Sequence, residues 1–205
     1  MTKPNDSKIR YVYNKIAEGF YHLRQKPITP DIEKLAEKWK PGKILDIGCG
    51  TTNSLLPFAK KGFECHGIDI STNMIKLAKK YAEKHNVNIK LKPANMLKLP
   101  YKQEFDHVIS IATLHHLDTN AKRLKSLKEI KRVLKKNGSF FFTVWNNPEK
   151  SEKDDYISWN HSGKQYLRYY HFFSISELES LLKKADIKAN IYLDRLEKNI
   201  CIESI

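Results

Sequence analysis

Arginine is scarce in this sequence, although basic residues are abundant. Six of the 37 lysine and arginine side chains are arginine, and the 205 residues carry a formal net charge of +14. A charge of this size favours a polyanionic partner such as a nucleic acid. An excess of lysine can equally reflect genome composition or a hot habitat, so the charge leaves both explanations open. The few arginines are therefore the more informative basic residues.

Cysteines and long apolar runs are also sparse. Cys49, Cys65 and Cys201 show no Cys-x-x-Cys spacing, so the sequence predicts neither a zinc site nor a disulfide framework. No apolar run approaches the ~18 residues that cross a bilayer, and residues 1–10 lack the apolar segment of a signal peptide. We expect a soluble, cytoplasmic protein with reduced thiols, no membrane association and a single domain over residues 1–205.

Short apolar runs alternate with segments of helical period along the chain. This alternation predicts an α/β fold with a doubly wound, mostly parallel sheet of seven strands and helices on both faces. The last two strands are expected to form an antiparallel hairpin at one edge. Strands are predicted at 44–47, 63–70, 89–93, 105–112, 139–145, 187–193 and 199–205. A helix over 122–136 is expected to end at Asn137-Gly138 in a left-handed cap.

The first predicted strand ends in the turn Gly48-Cys49-Gly50, directly after Asp46-Ile47. Two glycines allow a tight turn and the close approach of a ligand. A strand that leads through such a turn into a helix is where open α/β sheets hold nucleotide-like cofactors. An acid before the turn would repel a phosphate but suits a cofactor that carries an ammonium group. S-adenosylmethionine is the common cofactor with that property.

Three further polar side chains follow predicted strands. Asp69 ends the second strand about 20 residues after the glycine turn, a position that suits hydrogen bonds from ribose hydroxyls. Asn95 follows the third strand and His116 follows the fourth. Right-handed crossovers place the carboxyl ends of parallel strands at one edge of the sheet. We therefore expect these three residues and Asp46 to lie together at that edge.

Residues 146–165 are polar and show no clear period. They predict a loop of roughly 20 residues, which is a lid, a substrate loop or a disordered segment. Together with the next five residues, the range 146–170 is expected to act as a substrate loop or lid. The segment 166–173 is dense in aromatic residues around one arginine, Arg168. Most of these rings are expected in the core, and one of them is a candidate for base stacking.

Eight short segments carry a resemblance to a known family. They are Val12–Ala17, Arg24 with Lys26-Pro27, Asp46–Gly50, Phe105-Asp106 with Ile109–Ala112, His115-His116, Arg132–Leu134, Val144-Trp145, and Arg168–His171 with Glu177-Leu178. In these segments the sequence resembles the class I S-adenosylmethionine-dependent methyltransferases. Among them it resembles the wobble-uridine tRNA methyltransferases that esterify 5-carboxymethyluridine. Many methyltransferases share the cofactor segments, whereas the segments at Arg24 and Arg168 carry the specific resemblance.

The resemblance implies a Rossmann-like class I fold and methyl transfer from S-adenosylmethionine to the carboxylate of a wobble 5-carboxymethyluridine. The tRNA anticodon region would be the macromolecular substrate, and the N-terminal helices in 1–40 would contribute to its site. Arg24, His116 and Arg168 match positions that the family uses around the substrate and are the predicted catalytic residues. The predicted cofactor-binding residues are Asp46, Gly48, Cys49, Gly50, Asp69, Ile70, Met74, Asn95, Met96 and Ile111.

The resemblance also implies which part of the cofactor each of these residues would contact. Asp46 and the two glycines would line its amino-acid end, Asp69 its ribose, and Asn95 with Met96 its adenine. The sequence departs from the family where Thr51-Thr52 follow the glycine turn, and these threonines are expected to narrow the methionine pocket. Ile28 stands where the family has an aromatic residue.

A partner is implied as well. Members of the family dock a small zinc-binding activator protein along the edge of the third strand, which is Ile89–Pro93 in this sequence. An unpaired edge strand is a ready template for another chain. We therefore expect a heterodimer with such a protein.

The pair His115-His116 raises the question of a metal. Adjacent histidines on a turn point in different directions, and no third ligand has a suitable spacing, so we expect no metal site. One histidine is expected to pack inward while His116 faces the substrate.

Two other functions stay open. A methyltransferase for a small molecule or a lipid quinone would share the cofactor half of the sequence. A non-catalytic module that binds the cofactor or RNA is the third alternative.

Overall fold

The computed structural model describes residues 6–25, Pro27 and 29–205. Lys26 and Ile28, which belong to the segment after Arg24 that the resemblance uses, lie outside the described residues. Within the described ranges, no helix is long and apolar enough to span a membrane.

Strands and helices alternate along most of the chain. The strands are β1 (Lys43–Ile47), β2 (Glu64–Asp69), β3 (Ile89–Pro93), β4 (Phe105–Ile111), β5 (Leu134–Trp145), β6 (Lys153–His161), β7 (Lys164–Phe172), β8 (Ala189–Leu193) and β9 (Asn199–Ser204). The α-helices are α1 (Asp6–Leu23), α2 (Asp31–Lys38), α3 (Leu56–Lys60), α4 (Thr72–Lys84), α5 (Asn120–Val133) and α6 (Ile175–Lys184).

Seven strands form one sheet in the order β3-β2-β1-β4-β5-β9-β8. The strands from β3 to β5 in this order are parallel to one another. Strand β9 is antiparallel to both β5 and β8. The predicted mostly parallel sheet with an antiparallel edge hairpin is therefore confirmed. The chain builds outward from β1 to β3 and then returns to β4, so the strand order reverses beside β1. Open α/β sheets bind ligands at such a reversal, outside the carboxyl ends of the strands.

Helices cover both faces of this sheet. Ile44 and Leu45 are adjacent in β1, fully buried, and belong to two different core clusters. The cluster with Ile44 includes the apolar faces of α2 and α3, and the cluster with Leu45 includes those of α5 and α6. Successive strand side chains point to opposite faces, so a strand covered by helices on both sides reads as a continuous apolar run. A third cluster joins α1 to α4.

The expectation of a loop over 146–165 is wrong. In that region β6 pairs with β7 in an antiparallel ribbon, with Lys153 opposite Phe172 and His161 opposite Lys164. Along β6, half-buried Ile157 and Trp159 alternate with exposed residues, which is the two-residue period of a strand.

The turn of this ribbon is Ser162-Gly163. Both residues have a positive φ, 50° and 71°. Two-residue hairpin loops favour this conformation because its twist matches the right-handed twist of the strands, and glycine adopts it without strain. The Ser-Gly dipeptide between two alternating segments was therefore a hairpin signal in the sequence.

The expectation of a helix cap at Asn137-Gly138 is also wrong. Helix α5 ends at Val133, and Leu134 is already extended with φ −78° and ψ 136°. Gly138 lies inside β5 and is not among the glycines with a positive φ. A Cβ atom on it would lie 2.7 Å from the Leu134 side chain and 2.9 Å from the Asp106 carbonyl oxygen. The glycine permits close packing of two strands rather than a left-handed cap.

Candidate active site

An open cavity of about 1220 Å³ lies at the edge where the parallel strands end. All the residues predicted to be catalytic or cofactor-binding line it: Arg24, Asp46, Gly48, Cys49, Gly50, Asp69, Ile70, Met74, Asn95, Met96, Ile111, His116 and Arg168. Asp46 and Asp69 lie at the carboxyl ends of β1 and β2, and Asn95 and His116 follow β3 and β4, so the topology of the sheet brings these four together. Arg24 and Arg168 come from outside the sheet, after α1 and in β7.

Several other residues that line the cavity were not predicted from the sequence. These include Ile9, Tyr13, Phe20, Asn53, Ser54, Thr113, Trp145 and Tyr170. Tyr13 and Trp145 lay within segments that carry the resemblance. Tyr170 belongs to the aromatic segment in which one ring was a candidate for stacking, whereas its neighbour Tyr169 does not line this cavity.

The glycine turn closes onto the strand beside it. The backbone N–H groups of Gly48 and Cys49 both donate to the carbonyl oxygen of Ile68, at 2.8 and 2.9 Å. Gly48 has a φ of 75°, and a Cβ atom there would lie 2.4 Å from the Thr113 side chain. No other residue type fits this position without displacing Thr113. The turn leaves the backbone of Gly48 and Gly50 on the cavity wall.

Asp46 places an unsatisfied carboxylate oxygen at the base of this turn. The residue is 2% exposed, and its Oδ1 atom has no hydrogen-bond partner. Burial, followed by the negative charge of Asp69, raises the pKa of Asp46 well above its usual range. A buried acceptor without a donor is costly, and a cationic donor group from a ligand would satisfy it.

Asp69 is held in place by the backbone. Its Oδ2 atom accepts from the N–H of Gly50 at 3.0 Å, and its Oδ1 atom accepts from the N–H of Ser71 at 2.8 Å. Burial raises the pKa of Asp69 to about 6, although both N–H donors act in the opposite direction. Each carboxylate oxygen can accept a second hydrogen bond, so the group can also receive hydroxyl donors from the cavity.

Thr51 and Thr52 do not line the cavity, contrary to the expectation that they narrow it. Both are buried, and neither side-chain hydroxyl has a hydrogen-bond partner. Thr52 has a φ of 64°, a left-handed conformation that is unfavourable for a β-branched residue. The threonines therefore affect the strain of the loop rather than the shape of the cavity.

Arg168 is buried beside the cavity, and no counter-ion lies within reach among the residues that the structure describes. The residue is 5% exposed, and its guanidinium carbon lies 5.0 Å from the ring centre of Trp159 and 5.3 Å from that of Tyr170. Its Nη1 atom donates to the Tyr170 hydroxyl at 2.8 Å, and its buried Nε atom has no partner. Among the described residues, none forms an ion pair with it. A buried guanidinium of this kind is suited to bind an anion.

His116 is held between two tyrosines. Its Nδ1 atom lies 2.8 Å from the carbonyl oxygen of Tyr169, so Nδ1 carries the proton and donates it. The Nε2 atom then accepts from the Tyr13 hydroxyl at 2.6 Å. Burial and, to a lesser extent, the positive charge of Arg168 lower the pKa of His116 to about 4, so the ring is neutral at pH 7. Burial and the nearby Tyr170 raise the pKa of Tyr13 well above its usual range.

The neighbouring His115 packs inward, as predicted for one histidine of the pair. It is 1% exposed, and its Nδ1 atom accepts from the backbone N–H of Trp145 at 3.3 Å. Its ring lies 4.6 Å from that of Tyr170. His115 therefore supports the aromatic wall of the cavity from behind. Across the described ranges, no group of three or more His, Cys, Asp or Glu residues is arranged to hold a metal ion.

A polar network behind β7 was missed by the sequence analysis. Buried Arg123 of α5 donates from Nη2 to the Tyr169 hydroxyl at 3.2 Å and lies 3.4 Å from the Glu177 carboxylate. His171 lies 2.7 Å from Asp154 and 2.8 Å from Glu177. The network joins α5, β6, β7 and α6, and the Tyr169 backbone in turn holds His116. It therefore supports the part of the cavity wall that holds His116 from outside.

Comparison with known proteins agrees with this arrangement. The methyltransferase domain family matches residues 45–142, a range that starts in β1, ends in β5 and contains the glycine turn, Asp69, Asn95 and His116. This match and the strand order show the fold of the class I S-adenosylmethionine-dependent methyltransferases. A solved S-adenosylmethionine-dependent methyltransferase from Clostridium acetobutylicum shares the fold of this methyltransferase with a TM-score of 0.71 and 17% identity, covering 93% of this chain and 97% of that one.

Two curated relatives are similar in sequence. The human probable tRNA methyltransferase 9B is 31% identical over 160 residues, which is 74% of this chain and 33% of that protein. The tRNA (carboxymethyluridine(34)-5-O)-methyltransferase of Schizosaccharomyces pombe is 27% identical over 208 residues, covering 86% of this chain and 87% of that protein. The chain thus spans about a third of the length of the human relative.

The residues of the cavity fit the cofactor of this class, S-adenosylmethionine. The unsatisfied Oδ1 atom of Asp46 meets the need of an ammonium group, and the glycine turn leaves the backbone open beside it. Asp69 has acceptor capacity for ribose hydroxyls, and the apolar side chains of Ile70 and Met96 can enclose an adenine ring. The Oδ1 atom of Asn95 accepts from the N–H of Leu97 at 2.9 Å, which fixes the orientation of its amide.

Proposed function

We propose that this methyltransferase esterifies the carboxylate of 5-carboxymethyluridine at the wobble position of tRNA. The observation that carries the proposal is Arg168, a buried guanidinium on the cavity wall with no acidic partner among the described residues. An arginine in this setting meets a carboxylate through a planar fork of donors, and the exclusion of water strengthens the contact.

The chemistry of such a transfer needs little from a general base. A carboxylate has a pKa of about 4 and is already ionised at neutral pH. Bound S-adenosylmethionine supplies an electrophilic methyl group. The chain has to hold the anion in line with that methyl group and keep water out. Arg168 would bind the carboxylate, while neutral His116, fixed by Tyr13 and the Tyr169 carbonyl, would pack its uncharged ring against the uracil.

Arg24 adds a second positive charge to the same wall. The residue is half-buried at the end of α1, and its backbone carbonyl accepts from the Asn53 side chain at 2.9 Å. This bond ties the N-terminal segment to the loop that follows the glycine turn. We propose that Arg24 contacts the substrate from the opposite end of the chain, so that two arginines bracket the carboxylate and the adjoining phosphate.

The printed names of the relatives support this substrate. The Schizosaccharomyces pombe protein is named for methylation of carboxymethyluridine 34 in tRNA, and its alignment extends over most of both chains. The net charge of +14 suits a polyanionic substrate such as tRNA. Together these observations favour tRNA over a small-molecule substrate.

Methyl transfer into tRNA tests the proposal directly. The chain would be incubated with labelled S-adenosylmethionine and total tRNA from cells that lack the protein, and the wobble nucleosides would be analysed by mass spectrometry. The expected result is conversion of 5-carboxymethyluridine to its methyl ester. Labelling of small-molecule extracts without labelling of tRNA would establish the small-molecule alternative. Absence of S-adenosylmethionine binding in calorimetry would indicate a non-catalytic module.

A partner on β3 is part of the proposal. β3 pairs with β2 on one side only, and the chain passes from it directly to Asn95 and Met96 at the cavity. We propose that a small zinc-binding activator protein extends the sheet along Ile89–Pro93 and covers the adenine side of the site. Coexpression should then yield a heterodimer with higher cofactor affinity than the chain alone. A fully active monomer that binds the cofactor without any partner would rule the activator out.

A further inference from the structure

A second groove lies between α1 and the β6–β7 ribbon. Its lining residues are Ser7, Lys8, Ile9, Tyr11, Val12, Tyr156, Leu167 and Tyr169. Three of its large side chains are exposed: Tyr11 by 57%, Leu167 by 51% and Tyr156 by 43%. Soluble proteins seldom gather exposed rings and aliphatic side chains at one place without a ligand for them. The groove is not part of the cofactor cavity.

The groove nevertheless adjoins that cavity. Ile9 lines both of them, and Tyr13, one helical turn further along α1, lines the cavity. Along β7, Arg168 and Tyr170 line the cavity, whereas Leu167 and Tyr169 line the groove. The alternation of strand side chains therefore places the groove on the other side of the strand that holds the buried arginine.

The chemistry of the groove suits an unpaired nucleobase. Tyr11 and Tyr156 offer exposed aromatic rings, and Leu167 with Val12 offers apolar surface on which a base can stack in a sequence-tolerant way. The ammonium group of Lys15 lies 5.7 Å from the ring centre of Tyr11, and Lys8 lines the groove. Aromatic faces with lysines beside them are the combination by which proteins hold single-stranded nucleic acids.

We propose that this groove binds an unpaired base of the nucleic acid next to the nucleotide that enters the cavity. The proposal rests on the proposed function, since it assumes that the substrate is an RNA whose target base is turned into the active site. With one base in the cavity and a neighbour in the groove, the RNA backbone would cross the chain near Ile9 and the end of β7. The groove would thereby select a target base in an unpaired loop over the same base in a duplex or as a free nucleoside.

Binding of an anticodon stem–loop RNA that carries 5-carboxymethyluridine tests the groove. Its affinity would be measured by fluorescence anisotropy in the presence of S-adenosylhomocysteine, so that no turnover occurs. Tyr11→Ala and Tyr156→Ala are expected to weaken RNA binding by roughly 5- to 100-fold, the range that loss of one base-stacking ring causes. Tyr11→Phe should restore most of the affinity because the ring is kept. In steady-state assays with the RNA, the loss should appear in KM rather than in kcat.

The matched control is Tyr192→Ala, which removes a similarly exposed tyrosine (37%) from β8 at the edge of the sheet. This variant should bind the RNA as the unchanged chain does. Affinity for S-adenosylhomocysteine reports whether each groove variant is folded, because Tyr11 and Tyr156 do not line the cofactor cavity.

The outcomes separate the groove from the proposed function. If the chain methylates the RNA and both groove variants keep its RNA affinity, the groove does not bind the RNA, although the proposed function stands. The occupant of the groove would then be a protein. Binding without methylation, weakened by Tyr11→Ala, would support the groove and overturn the esterification. No binding of the RNA by the unchanged chain would overturn both.

Discussion

At the scale of single residues, the cavity holds charges that the protein alone leaves unmatched. Asp46 has an unsatisfied oxygen and Arg168 an unsatisfied nitrogen, and both are buried. Burial of an unpaired charge is destabilising, and its retention at the edge of a cavity is typical of ligand contacts. Asp46 is one of the predicted cofactor-binding residues, whereas Arg168 is one of the predicted catalytic residues. The cavity thus carries an acidic and a basic side chain, each with an unmatched atom, in its two predicted parts.

Replacement of Arg168 should separate catalysis from cofactor binding. Arg168→Ala is expected to lower kcat/KM for tRNA by at least about 100-fold, because the substrate anion would lose its buried charged partner. Affinity for S-adenosylhomocysteine should stay within about twofold, since none of the residues predicted to bind the cofactor lies in β7. Steady-state methyl transfer and calorimetry measure the two effects. Equal loss of both would mean that Arg168 belongs to the cofactor site.

Two further variants control for this result. Arg195→Ala removes an exposed arginine from the β8–β9 turn and should leave activity unchanged. Arg168→Met keeps most of the side-chain volume, and since it removes an unpaired buried charge, the free energy of unfolding should be unchanged or higher. A large loss of stability in Arg168→Met would instead assign the arginine a structural role.

The affinity for the cofactor should depend on pH through Asp69. Burial raises the pKa of this carboxyl to about 6, so in the unliganded protein the group becomes protonated as the pH falls below that value. Ribose hydroxyls donate best to the ionised form, so affinity for S-adenosylhomocysteine should be constant above about pH 7 and fall below pH 6 by up to tenfold per unit. Calorimetry from pH 5 to 8 measures this dependence.

Asp69→Asn provides the comparison. The variant should bind the cofactor more weakly at pH 7.5 and show a smaller decrease in affinity below pH 6, with any remaining dependence due to Asp46. In the absence of a ligand, the raised pKa of Asp69 means that the folded protein holds a proton between about pH 4 and 6 that the unfolded chain has lost. Its contribution to stability therefore decreases as the pH rises through that window. An identical pH dependence in Asp69→Asn would refute the assignment.

At the scale of elements, the loop after the glycine turn stores strain at Thr52. A β-branched residue with positive φ and an unsatisfied buried hydroxyl is unfavourable on both counts. Thr52→Gly relieves this strain, but it loses a buried methyl group and gives the unfolded chain more conformational freedom. The expected net effect is a rise in the free energy of unfolding on the order of 1 kcal/mol. Thr52→Ala removes the hydroxyl but keeps the strained φ, so its gain should be smaller. Denaturant unfolding measures the stability of both variants. A larger gain for Thr52→Ala than for Thr52→Gly would contradict the claim that the backbone is strained at Thr52.

The β6–β7 ribbon is joined to the helices by the network around Arg123. Arg123→Ala would remove the buried guanidinium that contacts Glu177, Asp154 and the Tyr169 hydroxyl, and should lower the free energy of unfolding by roughly 1.5–3 kcal/mol. Lys131→Ala on the same helix breaks the exposed pair with Asp186 and should cost less than about 1 kcal/mol. Chemical denaturation of both variants measures the difference. Similar small losses in both would mean that the network contributes little to holding the ribbon.

At the scale of the whole molecule, the positive charge should govern RNA affinity. A net charge of +14 predicts that binding of tRNA releases counterions and weakens steeply as salt is added. Between 50 and 200 mM salt we expect the affinity for tRNA to fall at least about tenfold, and the affinity for S-adenosylhomocysteine to change far less. Anisotropy and calorimetry across a salt series test this. A tRNA affinity that does not depend on salt would exclude a role for the charge.

Part of the cavity wall was predictable because it follows local rules. Asp46 and Asp69 lie at the carboxyl ends of β1 and β2, Asn95 and His116 follow β3 and β4, and parallel strands end at one edge. The wall formed by α1 and β7 was less predictable. The alternation of Ile157 and Trp159 with polar residues and the Ser162-Gly163 turn indicated a hairpin, but the charged residues around them suggested a loop. Tyr13 was missed because its partner, His116, is 103 residues away in the chain.

The parallel sheet, the glycine turn and the edge at which Asp46, Asp69 and Asn95 meet could be predicted from local patterns, because buried strands, glycine and right-handed crossovers obey short-range constraints. The enclosure of Arg168 between Trp159 and Tyr170, and the groove on the other side of its strand, follow only from the folded arrangement. These features depend on how α1 and the β6–β7 ribbon pack against each other. Contacts between such distant segments are set by the complementarity of whole surfaces, which no local pattern in the chain specifies.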